Sequence, residues 1–158
     1  MNKTNAMRML EKEGVPFRTQ EYPVDENDLS GEHVAAVLGQ PAEQVFKTLV
    51  TKGEKNGIMV FCIPVCEELD LKKIAVLTKD KKVEMIPVKD LLSFTGYIRG
   101  GCSPIGMKKK FPTVIDESCL DKETVMVSAG KIGYQVELTP QDLIQAAQAQ
   151  TANITKDN

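Results

Sequence analysis

Apolar positions near the start of the chain recur at helical spacing in two places. Ala6, Met7 and Leu10 share one face of a segment from Thr4 to Leu10, with Thr4 placed to cap it and Gly14 and Pro16 to end it. Val34, Val37 and Leu38 form a second face behind Ser30, and Gly39 stops that helix. Between them Phe17 to Tyr22 reads as a strand, followed by the acids Asp25, Glu26 and Asp28. Pro41 opens a single turn that leads into a buried strand, Val45 to Thr51. Gly53 to Gly57 forms a hairpin-like turn, and Ile58 to Val65 is the strongest strand signal in the sequence. A helix over about Leu69 to Leu77, a strand over Val83 to Ile86 and a helix over Val88 to Phe94 come next. Thr113 to Asp116, Thr124 to Ser128 and Tyr134 to Leu138 read as further strands. Thr139, Pro140 and Asp142 supply cap, first-turn proline and acid for a last helix to about Gln148, and the tail from Gln150 reads as frayed.

This order predicts a mixed α/β fold of α+β type. Adjacent late strands favour an antiparallel or mixed sheet, partly curled towards a barrel and surrounded by short helices, over a doubly wound one. No repeat, linker or composition break divides the 158 residues, so one domain is expected over 1–158.

Composition removes several classes of function. The longest apolar run, Ile58 to Val65, is eight residues and includes Pro64, less than half a membrane span. The N-terminal Met1-Asn2-Lys3-Thr4-Asn5 has no apolar segment behind it that would read as a signal peptide, and a cytoplasmic protein is expected. His33 is the one histidine, so a His-rich metal site is excluded; it lies beside Glu32 and reads as exposed. Cys62, Cys66, Cys102 and Cys119 form no Cys-x-x-Cys pair, which argues against structural zinc and for reduced thiols. No metal or other cofactor is expected. Trp is absent and the net charge is −2, so neither an aromatic platform for single strands nor bulk-charge binding of nucleic acid is indicated.

Three segments carry candidate chemistry. Gly96 to Gly106 holds four glycines in eleven residues, and residues 99 to 110 carry Arg99, Lys108, Lys109 and Lys110 with no acid. Such a loop suits a phosphate or a developing oxyanion; it reads equally as a flexible turn ahead of a solvated lysine run. It is not a P-loop, because Met107 stands where the lysine should follow Gly106. In Val45-Phe46-Lys47-Thr48-Leu49, alternation sends Lys47 to one face and Phe46 and Thr48 to the other. Lys47 is either an edge-strand lysine turned to water or a cation that pairs with something anionic. Val127-Ser128-Ala129-Gly130 ends a strand in a small-residue turn and reads as an ordinary hairpin. Cys102 sits in the glycine loop with no neighbouring base to activate it. A second basic group, Lys72, Lys73, Lys79, Lys81 and Lys82, reads as a solvated helix surface; with the loop lysines it tracks a nucleic-acid backbone only if both lie on one face.

Taken together these pieces resemble the YbaK/EbsC family of bacterial aminoacyl-tRNA editing proteins, closest to its Cys-tRNA(Pro) deacylase branch. The resemblance rests on Lys3-Thr-Asn-Ala-Met-Arg, Val45-Phe-Lys-Thr-Leu, Glu68-Leu-Asp-Leu-Lys, Gly96-Tyr-Ile-Arg-Gly-Gly, Ser103-Pro-Ile-Gly-Met-Lys-Lys and Val127-Ser-Ala-Gly, in that order along nearly the whole chain. It implies the fold of the prolyl-tRNA synthetase editing insertion and removal of cysteine mischarged onto tRNA(Pro), with aminoacyl-tRNA and prolyl-tRNA synthetase as partners. Carried over, Lys47 is the essential lysine, with Gly100 and Gly101 beside the scissile ester. Phe46, Thr48, Ser128, Tyr22 and Arg99 form the substrate pocket. The implied chemistry uses the cysteinyl thiol itself as nucleophile. An alanine-specific editor and a non-catalytic tRNA- or synthetase-binding module are the alternatives.

Overall fold

A computed structural model describes residues 3–157; Met1 and Asn2, part of the reading of the N-terminus, and Asn158 lie outside them. The chain begins with α1 (Asn5–Lys12), and the Thr4 hydroxyl accepts from the Met7 N–H at 3.2 Å as its cap. Ala6, Met7 and Leu10 are the buried face, as the spacing predicts. Full burial of the two larger side chains stabilises by about 1.5–3 kcal/mol each. Then come β1 (Arg18–Glu21), α2 (Gly31–Leu38) capped by Ser30, a 3-10 turn at Ala42–Gln44, β2 (Phe46–Gly53) and β3 (Gly57–Pro64). α3 (Leu71–Thr78) starts at Asp70, whose carboxylate accepts from the N–H groups of Lys72 and Lys73. β4 (Val83–Met85), α4 (Val88–Thr95), β5 (Thr113–Asp116), β6 (Val125–Ser128), β7 (Tyr134–Leu138), α5 (Pro140–Ala147) and β8 (Gln150–Ala152) complete the order.

Two sheets form. One is antiparallel in the order β1-β7-β6; the other is mixed in the order β4-β2-β3-β5-β8, with β3, β5 and β8 running parallel. A single bridge, Val45 to Met126, ties them together. The α+β class holds, but among the described residues neither sheet closes on itself, so the expected barrel-like curl is replaced by two open sheets. Their facing sides, with Phe46, Cys62 and Ile115 against Val125, Val127, Val136 and Leu138, form the main core, and α1 and α5 pack into it. A second core on the far side of the mixed sheet joins Met59, Phe61 and Ile63 to Leu69, Ile74 and Ile154. β3 is therefore buried on both faces, which explains its unbroken apolar run.

The tail is the largest correction. Instead of fraying, β8 pairs with β5 from Gln150 to Ala152, Ile154 is fully buried, and Lys73 Nζ reaches Thr155 O at 2.7 Å and Asp157 Oδ1 at 2.8 Å. His33 is half-buried rather than exposed, with Nδ1 3.7 Å from Asp28 Oδ2. All four cysteines are free thiols, and three of them are buried. No helix is long and apolar enough to cross a membrane among the described residues.

Candidate functional site

β4 pairs with β2 only from Thr51 to Gly53, with one further bond from Ile86 N–H to Val50 O at 3.1 Å. The edge of β2 from Phe46 to Leu49 thus has no strand on that side. A cavity of about 370 Å³ opens there, between the first turn of α2, the β4–α4 segment, the glycine-rich loop and the ends of β6 and β7.

Six of the residues singled out in the sequence line this cavity: Phe46, Lys47, Thr48, Arg99, Gly100 and Ser128. Lys47 lies opposite Ile63 on the stretch of β2 whose other side has no strand, and it is half-buried against the cavity rather than turned wholly to water. Its Nζ donates to Val65 O at 3.4 Å, and it has no carboxylate within ion-pair distance among the described residues. Phe46 is buried and anchors the strand in the main core. The Thr48 hydroxyl lies 3.6 Å from Cys62 Sγ. Arg99 is exposed at the mouth, where Glu32 is the one carboxylate lining the cavity.

Tyr97 shapes the glycine loop, a role that its place in the Gly96-Tyr-Ile-Arg-Gly-Gly segment does not reveal. Its hydroxyl donates to Ile105 O at 2.6 Å, closing residues 97 to 105 into a compact turn. A Cβ on Gly130 would lie 2.8 Å from the Tyr97 ring, so this glycine lets the loop pack on the β6–β7 turn. One on Gly106 would lie 2.8 Å from the Tyr97 hydroxyl and 3.0 Å from Ala6 N, so that glycine lets the loop close against the start of α1. The Thr4 hydroxyl donates to Ala129 O, pinning the same turn to α1. Ser128 follows from this packing; its Oγ accepts from the Gly130 N–H at 3.1 Å.

Gly101 and Tyr22 are placed differently from the other six and do not line the cavity. The Gly101 N–H donates to Ile98 O at 3.0 Å within the turn, so it is not free to hold a substrate oxygen. Its backbone rests on residues 131 and 132 instead; an added Cβ would stand 3.1 Å from Ile132 N and 3.3 Å from Lys131 C. Left-handed backbone belongs to Gly100, with φ +84°, whose N–H takes no protein acceptor among the described residues. Tyr22 is buried, and its N–H donates to Gly133 O at 2.9 Å. Cys102 lines the cavity, but burial pushes its thiol up to about 12, an effect the neighbouring Thr95 hydroxyl offsets only in part. It is neutral at ordinary pH and no nucleophile.

Of the second basic group, Lys73 is tied to the C-terminal segment and Lys82 to Glu84 at 2.9 Å, which leaves less of it for a phosphate backbone than the sequence suggested. Sequence reasoning also missed Gln135, which is buried against the cavity. The alternation Tyr134-Gln-Val-Glu-Leu marks it only as the polar face of a strand.

Comparisons with known proteins converge on one kind of molecule. The profile of the aminoacyl-tRNA editing domain family matches residues 26–146. A protein of Enterococcus faecalis, provisionally named Cys-tRNA(Pro)/Cys-tRNA(Cys) deacylase EbsC, is 52% identical over 153 residues, covering 97% of this chain and 93% of its own. A proline–tRNA ligase of Fervidobacterium nodosum is 30% identical over 108 residues, covering 61% of this chain but only 18% of the ligase. A crystal structure described, again provisionally, as a trans-editing enzyme for prolyl-tRNA synthetase superposes with a TM-score of 0.86 at 25% identity, covering 99% of this chain and 100% of that one.

Proposed function

This chain belongs to the aminoacyl-tRNA editing domain family, in its YbaK/EbsC branch, and from that premise we propose that residues 1–158 act as one deacylase domain that clears Cys-tRNA(Pro) in trans. The observation that carries the reading is a cavity equipped to bind and polarise an ester but not to attack it. Lys47 and the Gly100 N–H offer positive charge to the acceptor end and the developing oxyanion. No histidine lines the cavity, its thiol is held protonated, and its single carboxylate is exposed at the rim.

The nucleophile then comes with the substrate. The cysteinyl sulfur attacks its own ester carbonyl, an S–C bond forms, and the C–O bond to the terminal ribose breaks. The thiol proton ends on the departing ribose hydroxyl, and the four-membered thiolactone hydrolyses to cysteine in water. Holding the thiol in line with the carbonyl is worth several orders of magnitude in rate without any protein base. Phe46, Thr48 and Ser128 bound the space for the side chain, and Arg99 receives the acceptor-end backbone. tRNA(Pro) specificity comes from prolyl-tRNA synthetase on the same tRNA, in the cytoplasm, while the cavity itself reads cysteine. This is compatible with the two tRNAs in the name of the Enterococcus protein.

The test is amino-acid release from tRNA(Pro) charged with cysteine, serine or alanine. Serine has nearly the shape of cysteine but a far weaker nucleophile than a thiol of pKa about 8.5, and alanine has none. Efficient release of cysteine, poor release of serine and almost none of alanine is expected. Comparable rates on all three would mean an activated water and would put alanine editing first. No release of any would leave a binding module.

A further inference from the structure

Gln135 lies in β7, with Ser128 and Gln20 as its register partners on either side. It is only 5% exposed, it lines the cavity beside Ser128, and its Oε1 has no hydrogen-bond partner among the described residues. The amide of its register partner Gln20 donates instead to Glu137 Oε1 at 3.3 Å. A buried acceptor left without a donor destabilises the free protein, and such groups are rare in folded chains. No protein donor among the described residues reaches this oxygen, on a side chain at the cavity wall.

We infer that Gln135 binds the α-ammonium group of the aminoacyl moiety. This rests on the deacylase reading above. A cysteinyl ester brings three donors near its carbonyl: the α-ammonium, the thiol and the ribose 2′-hydroxyl. The thiol has to stay free to attack. The ammonium is the strongest donor and sits on the carbon between carbonyl and thiol, so fixing it also fixes the angle at which sulfur meets the carbonyl. Lys47 and Arg99 make the rest of the cavity unfavourable for a cation, and Glu32 is exposed to competing water. A neutral amide has one more property that matters. A carboxylate in its place would hold the ammonium and also take a proton from water, opening the site to serine and alanine esters. An amide oxygen orients the cation without serving as a base.

The experiment compares tRNA(Pro) carrying cysteine with tRNA(Pro) carrying 3-mercaptopropionate, which keeps thiol and ester but lacks the amino group. Each rate is divided by that ester's spontaneous hydrolysis. The wild-type protein is expected to favour the cysteinyl ester by about 10- to 100-fold in kcat/KM. Gln135→Met should bring the two rates together, and Gln135→Glu should restore the preference. Because Gln135→Met removes the unmatched acceptor, its thermal midpoint should rise by about 2–4 °C. Equal wild-type rates on the two esters would overturn the inference. So would a Gln135→Met protein that keeps the preference, or one that is folded and slowed equally on both. A preference that follows removal of the 2′-hydroxyl rather than of the amine would assign the oxygen to ribose and overturn it too. No wild-type turnover of either ester is a different result: it overturns the deacylase reading, and this inference with it.

Discussion

Lys47 is set apart by what it lacks. A half-buried position against the cavity, without a carboxylate partner among the described residues, is an unfavourable place for an ammonium group unless an anion arrives. Lys47→Ala is therefore expected to lower deacylation by about 100- to 1,000-fold while moving stability by no more than about 0.5 kcal/mol. Parallel measurement of Cys-tRNA(Pro) turnover and urea midpoint checks both halves. Cys102 is the opposite case, a reactive atom in the cavity that its surroundings disarm. With its thiol pushed up to about 12 by burial, Cys102→Ser should keep its activity. The wild-type rate should show no inflection from this thiol between pH 6 and about pH 10. A dead Cys102→Ser protein, with an acyl adduct trapped on the native cysteine, would instead establish covalent catalysis. Residue types alone singled out Lys47 and the glycine loop, because charge and glycine are visible in one dimension. The pocket roles of Phe46, Thr48, Arg99 and Ser128, which also line the cavity, came from the family resemblance. Gly101 and Tyr22 went elsewhere because a chain position does not say which way a turn faces. Gln135 was hidden because an outward polar residue of a strand and an inward one have the same period.

At the scale of elements, the hairpin β2–β3 is held to the end of α3 by one carboxylate. Asp80 accepts from the N–H groups of Lys55, Asn56 and Lys81 and from the Asn56 amide, and a Cβ on Gly53 would fall 2.1 Å from its oxygen. Desolvation alone would raise its pKa, but the hydrogen bonds from Asn56, Lys55 and Lys82 outweigh it and hold the group at about 2, below its ordinary 3.8. A depressed carboxylate stabilises fully above the unfolded pKa, and that contribution is lost as pH falls through about 4 towards 2. The wild-type protein should thus unfold at higher urea than Asp80→Asn at pH 7, and the gap should narrow by pH 3. Helix caps and strands were largely legible in the sequence, because Thr4, Ser30 and Thr139 sit where a helix needs an acceptor and Ile58 to Val65 has no other reading. β8 was not. Its polar Gln-Thr-Ala has no strand pattern of its own, and it forms because β5 offers a parallel edge and Ile154 a buried anchor next to Ile74. That partnership is tertiary, and local propensity carries no trace of it.

The whole molecule is a meeting of two sheets, and its candidate site lies where they meet but do not pair. With a net charge of −2 and few free cations around the cavity, it should hold tRNA weakly and with marked salt dependence. Deacylation of Cys-tRNA species by the protein alone should therefore be broad and should fall steeply from 50 to 200 mM salt. Prolyl-tRNA synthetase should concentrate it on tRNA(Pro). Equal discrimination with and without the synthetase would remove that partnership. The bare edge of β2 from Phe46 to Leu49 also bears on how copies of this chain behave towards one another. An unpaired strand is a template for a neighbour's strand, and proteins guard such edges with a cover and an inward-facing charge. Here α4 and the glycine loop are the cover and Lys47 is the charge. Lys47→Ala should accordingly scatter light at lower temperature than the wild-type protein when the two are heated side by side, although their unfolding midpoints agree. The lysine proposed to receive the substrate would then also be the one that keeps an exposed seam from growing into an aggregate.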